Sequence, residues 1–207
     1  MNGGSASSAG PVAVLAFVNT LLAPSTTLVV WMVLDLWRTG RPTAVGAATG
    51  AVVGLVGITP AAGFIGPTSA IVLGALVALP SYWYMIVFRP KAALDDSLDV
   101  FAAHGLGGIT GALLTGVLAQ KAWSAPTDGL IAGGARLVGI QAVAVLAVFV
   151  YSLVGTVVLL KLMSLGLRLR LGEKEEGIGM DLVQHGEEAY NRGEGAVLVR
   201  REAGKED

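Results

Sequence analysis

Long apolar runs, separated by short polar or charged intervals, organise most of this chain. A helix needs about 20 mostly apolar residues to cross a bilayer, and the pattern predicts five such spans. The first covers 11–37 and is interrupted near Pro24 by a polar patch; the others cover 43–64, 67–88, 97–120 and 130–166. The fifth is long enough to tilt or to project beyond the membrane. Thr59-Pro60 is expected to end or kink the second span, because proline cannot donate to the helical ladder. Residues 1–10 form a polar, glycine-rich lead into the first span, and residues 167–207 form a charged tail.

Small residues are not scattered evenly among these spans. Gly46, Gly50 and Gly54 recur every four residues in the second. In the fourth, His104, Gly108, Ala112, Gly116 and Gln120 form one stripe, and Gly107, Gly111, Thr115 and Ala119 form its neighbour. Each glycine costs about 1 kcal/mol of helix propensity relative to alanine. Repeating that cost predicts either a second backbone at close approach or a narrow passage, and helix packing is the simpler account of the glycines alone.

Composition supports the membrane reading. The chain is 54% hydrophobic and only 14% charged, against about 25% charged in soluble domains, and its mean hydropathy is +0.69. The fold class expected is an all-α integral membrane protein of five spans. The absence of cysteine excludes disulfides and thiolate metal sites, and two distant histidines argue against zinc, so no cofactor or metal is expected. A net charge of −1 gives no reason to expect nucleic acid as a partner. The first ten residues lack the basic and apolar regions of a secretory signal. Basic residues follow the odd-numbered spans: Arg38 and Arg41, then Arg89 and Lys91, then Arg168, Arg170 and Lys174. The positive-inside rule then places the N-terminus outside and the tail in the cytoplasm.

One feature needs chemistry. His104 stands in an apolar helix with Asp95, Asp96 and Asp99 just upstream, about 7 Å deeper than Asp99 at 1.5 Å per residue. An ionisable group in a membrane usually faces a cavity or a partner. A neutral imidazole there could relay a proton, hydrogen-bond a small polar solute, or simply bond a neighbouring carbonyl. Asp95 and Asp96 suit capping of the helix N-terminus, and Asp35 suits pairing with Arg38 one turn on. No nucleophile–base pair, ligand cluster or phosphate loop is present, so no enzyme and no catalytic residue is expected.

The stretch DDSLDVFAAHGLGGITGALLTGVLA, from Asp95, resembles the signature helix of the ammonium transporter family (Amt, Mep and Rh proteins). GAVVGLVGITPAAGFIGP resembles the family helix ending Thr-Pro-Ala-Ala-Gly, GIGMDLVQHGEEAY resembles its cytoplasmic C-terminus, and NGGSA at 2–6 resembles the outer end of its sixth helix. The likeness runs to about Tyr190.

That resemblance implies an eleven-span protomer, assembled as a homotrimer in the plasma membrane, that deprotonates ammonium and passes ammonia along a lumen with two histidines. His104 matches the second of these. Thr59 matches a threonine near the pair, Val100 the lower lumen, and Ser5 a serine of the outer vestibule. Asp96 and Asp99 match acidic residues of the cytoplasmic mouth. The resemblance also implies departures: no counterpart is seen for the family's first five helices, most of the sixth, the first pore histidine or the vestibule tryptophan, and Met1 stands where the lower gate phenylalanine is expected. The chain is therefore expected to correspond to the second inverted repeat plus the last helix, the C-terminal half of the protomer. Alone it should conduct poorly, and its partners would be ammonium, the lipid bilayer and a polypeptide carrying the N-terminal half. Two rival readings are a non-transporting regulatory subunit whose tail binds a PII-class cytosolic protein, and an unrelated carrier using Asp99 and His104 as a proton relay.

Overall fold

The computed structural model describes residues 2–91 and 96–187. Among them, every regular element is helical. The chain divides into two units, Met1–Val150 and Tyr151–Asp207.

The first unit is built from helices. They are α1 (Pro11–Thr39), α2 (Ala44–Ile58), α3 (Pro67–Trp83), α4 (Gly107–Leu118) and the first half of α5 (Arg136–Ser164). α3 continues through a π-helical turn, Tyr84–Phe88, and a 3-10 turn, Arg89–Lys91; a second π-helical stretch, Phe101–Leu106, leads into α4. Among the described residues, four segments are long and apolar enough to cross a membrane: Pro11–Thr39, Pro67–Lys91, Phe101–Leu118 and Arg136–Ser164. The second expected span is shorter than its apolar run, because α2 stops at Ile58 and 59–65 form turns and a bend. The fifth starts later than expected, at Arg136, after a separate 3-10 turn at Leu130–Ala132.

The polar patch at Pro24 does not interrupt the first span. Proline removes one N–H from the ladder, yet α1 runs on to Thr39. The hydroxyls of Ser25, Thr26 and Thr27 donate to the carbonyls of Leu21, Leu22 and Ala23 at 2.7, 2.9 and 2.9 Å, and Thr27 is also 2.7 Å from the Gly74 carbonyl of α3. Polar groups in lipid must be satisfied from within the protein, and a helix with a hydroxyl patch does so.

Glycine is where these helices meet. A Cβ at Gly50 would lie 2.8 Å from Trp31 Cβ of α1, and one at Gly54 would strike Pro24 Cα. At Gly57 it would meet Val77 of α3 at 2.7 Å, and at Gly111 it would overlap the Gly57 carbonyl oxygen. The stripes found in the sequence are thus largely helix seams, with α2 at the centre, contacting α1, α3 and α4.

Two buried polar residues fasten the bundle. Asn19 is fully buried, and its Nδ2 donates to the carbonyls of Ala62 and Ile65, each at 2.8 Å, in the irregular segment after α2. Asn19→Leu leaves both carbonyls unpaired at about 1–3 kcal/mol each. The expected result is a clearly lower midpoint of thermal unfolding in detergent; an unchanged midpoint would show that this bond adds nothing. Asp35, also buried, does not form the expected pair with Arg38. Its Oδ2 accepts from the Thr43 hydroxyl at 3.1 Å, while Thr43 Oγ1 accepts from Gly46 N at 2.9 Å and so caps α2. The reason is burial: Asp35 is turned into the bundle beside Trp31, whereas Arg38 is exposed.

α5 contributes no buried residue to the described structure. Its first turn meets α4 at Gly116, where a Cβ would lie 2.8 Å from Val138 Cα, and an apolar helix so little covered is a surface for lipid or for other protein. In the second unit, ion pairs Arg168–Glu175 (2.9 Å) and Arg170–Glu176 (2.8 Å) surround the short helix α6 (Glu173–Ile178), which a π-helical turn, Asp181–His185, follows.

Candidate functional site

The histidine helix begins with an anchored turn. Asp96 uses both carboxylate oxygens, accepting from Val100 N at 2.8 Å and from Phe101 N at 2.9 Å. This is the capping role expected of Asp95 or Asp96; Asp95 lies outside the described residues. Asp99 has φ +54, a left-handed conformation that aspartate tolerates better than most residues. Its carboxylate is gripped by Arg89 from the end of the preceding span, with Nε 2.9 Å from Oδ1 and a terminal guanidinium nitrogen donating to Oδ2 at 3.2 Å. Asp99 lies outside the Phe101–Leu118 span. Burial raises its carboxyl above the ordinary range, the Arg89 guanidinium works against that, and the charge of Asp96 adds to it.

His104 sits within the π-helical stretch, beside buried Ala102 and Ala103, with its own side chain exposed. Val100, one turn earlier, is also exposed. Here the four-residue spacing read from the sequence gives way. It assumes an α-helix throughout, but a π-helical stretch takes an extra residue per turn, so the phase of His104 relative to Gly108 and Gly111 differs from that of a straight helix.

Thr59 is exposed at the end of α2, its hydroxyl donating to the Leu55 carbonyl at 2.8 Å. α4 crosses α2 where Gly107 approaches Val53 and Val56, and Gly111 approaches Gly57. His104 precedes this crossing and Thr59 follows it. Exposed Val52 and Leu55 of α2 complete an apolar surface. Ser5 is exposed on a 3-10 turn, Gly4–Ala6, at the N-terminal end of α1. Nearby is an apolar groove of about 950 Å³, lined in part by Gly3, Gly10, Phe17, Pro67 and Trp123. Trp123 follows the C-terminal end of α4 and Pro67 opens α3, so Ser5 belongs to one end of the bundle and Asp96 and Asp99 to the other.

Three features escaped sequence reasoning. The Arg89 grip joins residues ten positions apart, and the π-helical stretch has no signal in hydropathy. The exposed ring of His104 depends on which faces the neighbouring helices cover. No group of carboxylates and imidazoles able to hold a metal ion occurs among the described residues.

A family model described as Ammonium Transporter Family matches residues 1–190. The ammonium transporter of Bacillus subtilis is 41% identical over 190 residues, covering 91% of this chain and 47% of that protein. That of Aquifex aeolicus is 42% identical, with 92% and 44% covered. Among solved structures, the N240A mutant of Candida albicans Mep2 aligns with a TM-score of 0.78 at 33% identity, covering 88% of this chain and 42% of the other. Saccharomyces cerevisiae Mep2 aligns at 0.74 and 34%, with 78% and 40% covered. The chain spans about half the length of the curated relatives it matches, or somewhat less.

Proposed function

The chain belongs to the ammonium transporter family, whose members are multi-pass membrane proteins, and on that premise we propose that it supplies one wall of an ammonia-conducting pore. The observation that carries this is His104 exposed on the side of an apolar bundle whose glycine seams are occupied elsewhere. An imidazole so placed in a membrane needs a cavity or a partner. His104 and Val100 line the lumen, with Thr59 further along the same wall. Ser5 belongs to the outer vestibule, and Asp96 and Asp99 shape the cytoplasmic mouth.

The opposite wall comes from the rest of an eleven-span protomer. In this reading the chain is the second inverted repeat and the last helix, the C-terminal half, and the assembled protomers form a homotrimer in the plasma membrane. The N-terminus is outside and the tail cytoplasmic, in accord with the basic residues after α1, α3 and α5. Physical chemistry favours a neutral solute. Carrying an ammonium-sized ion into low dielectric has an idealised cost of order 20 kcal/mol, whereas an uncharged amine needs hydrogen-bond compensation of a few kcal/mol.

Expressed alone in cells that lack ammonium uptake, these 207 residues are expected not to restore growth on low ammonium. Co-expressed with a polypeptide carrying the other half, they are expected to restore it. Full rescue by the chain alone would overturn the two-wall reading. A second role is carried by the charged second unit, with its Arg168–Glu175 and Arg170–Glu176 pairs. That surface suits a cytosolic regulator of the PII class, and tail deletion with loss of binding in a pull-down tests it.

A further inference from the structure

We propose that the Arg89–Asp99 ion pair is a positioning device that sets the direction of His104 by holding the π-helical stretch Phe101–Leu106 in register. That His104 faces a pore rests on the reading above; how it is held does not.

The stretch is fixed at both ends. On one side Gly111 is pressed against the Gly57 carbonyl, so α4 cannot turn about its own axis. On the other, Asp96 accepts from two backbone N–H groups, and Asp99 is clamped by two nitrogens of Arg89. Between these anchors lie six π-helical residues. π-helices are rare, occur mostly as single-turn insertions within α-helices, and are frequent at functional sites. An uncommon backbone state persists where its surroundings over-determine it, and here the left-handed Asp99 and its guanidinium clamp form the N-terminal constraint. Aromatic packing follows the same line: Phe101 lies 5.0 Å from Tyr84, which belongs to the π-helical turn just before Arg89, and a Cβ on Gly105 would meet the Phe101 ring at 3.1 Å. Arg89 thus approaches the histidine helix together with the ring that steadies its first turn.

Releasing the clamp lets the stretch relax towards an α-helix against the fixed α2–α4 seam. One residue of register is about 100° of rotation at 3.6 residues per turn. Ala103, now buried at 5% exposure, then moves towards the surface and His104 turns away from its present direction.

The chain has no cysteine and two histidines, His104 and His185, so single-site probes are clean. Ala103→Cys is expected to react slowly with N-ethylmaleimide in lipid nanodiscs, and about tenfold faster once Arg89→Ala or Asp99→Asn is added. Asn tolerates the left-handed backbone, so the second variant removes the ion pair and leaves that conformation available. Arg89→Lys keeps the charge without the two-nitrogen grip and is expected to fall between. Ala78→Cys, fully buried in α3, is the control and stays protected. In spectra of the ¹⁵N-histidine-labelled chain the His104 signal moves in both variants and that of His185 does not. Unchanged protection of Ala103→Cys overturns the proposal. So does equal exposure of Ala103→Cys and Ala78→Cys in both variants, since Arg89 would then support the whole fold. None of these readouts requires ammonium conduction, so failure of the pore reading and failure of the clamp are distinguishable.

Discussion

Gly111→Leu is expected to abolish the folded bundle, and Gly108→Ala to leave it intact. Both glycines lie in the stripes of the histidine helix, and sequence spacing treats them alike. The structure does not. A Cβ at Gly111 would overlap the carbonyl oxygen of Gly57 and press on that residue's Cα at 2.8 Å, whereas at Gly108 it would only touch the Val56 side chain at 3.8 Å. Overpacking costs about 1–3 kcal/mol even where neighbouring side chains can yield. At Gly111 the neighbour is backbone, belonging to a helix that is itself wedged against Val77 through Gly57. No rotamer change relieves the clash, so α2 and α4 must separate and expose the seam. Size-exclusion chromatography in detergent should show aggregated material for Gly111→Leu and a single symmetric species for Gly108→Ala. A monodisperse Gly111→Leu with wild-type thermal stability would mean that the α2–α4 seam does not hold the bundle.

That contrast shows where the sequence was informative. Several apolar helices occur in the runs read from hydropathy, because backbone hydrogen bonding in lipid leaves few alternatives to a helix. Glycines at four-residue spacing point to close approach, and Gly46, Gly50, Gly54 and Gly111 supply it. What stays hidden is the identity of the partner across each seam, which only three-dimensional packing decides. The same limit explains Asp35. Local spacing offers Arg38, but burial beside Trp31 brings the Thr43 hydroxyl instead. At the candidate site, His104 and Asp96 stand out by residue type in an apolar context. Arg89 does not, because its partner lies ten residues on in the chain. The π-helical stretch arises from anchors at both ends rather than from the residues within it, so hydropathy has no period that would report it.

In the assembled two-wall pore, His104→Ala is expected to lower ammonium uptake about ten- to hundredfold, while Thr59→Val changes it little. The two residues are the polar side chains assigned to the same wall, yet their hydrogen-bonding capacity differs. The Thr59 hydroxyl gives its proton to the Leu55 carbonyl at 2.8 Å, so its single donor is already spent on its own helix. His104 is exposed, and its ring has one donor and one acceptor to offer when neutral. A solute stripped of water in an apolar lumen depends on such a group. Losing one hydrogen bond to a buried polar group costs about 1–3 kcal/mol, which is about one to two powers of ten in rate at 1.36 kcal/mol per decade. Uptake of labelled methylammonium by cells expressing both halves measures the difference. If His104→Ala transports like the parent, the imidazole is not on the conduction path and the pore wall has been assigned to the wrong face. If Thr59→Val fails as severely as His104→Ala, the threonine must break its bond to Leu55 during transport, and the lumen then needs both ends of this wall.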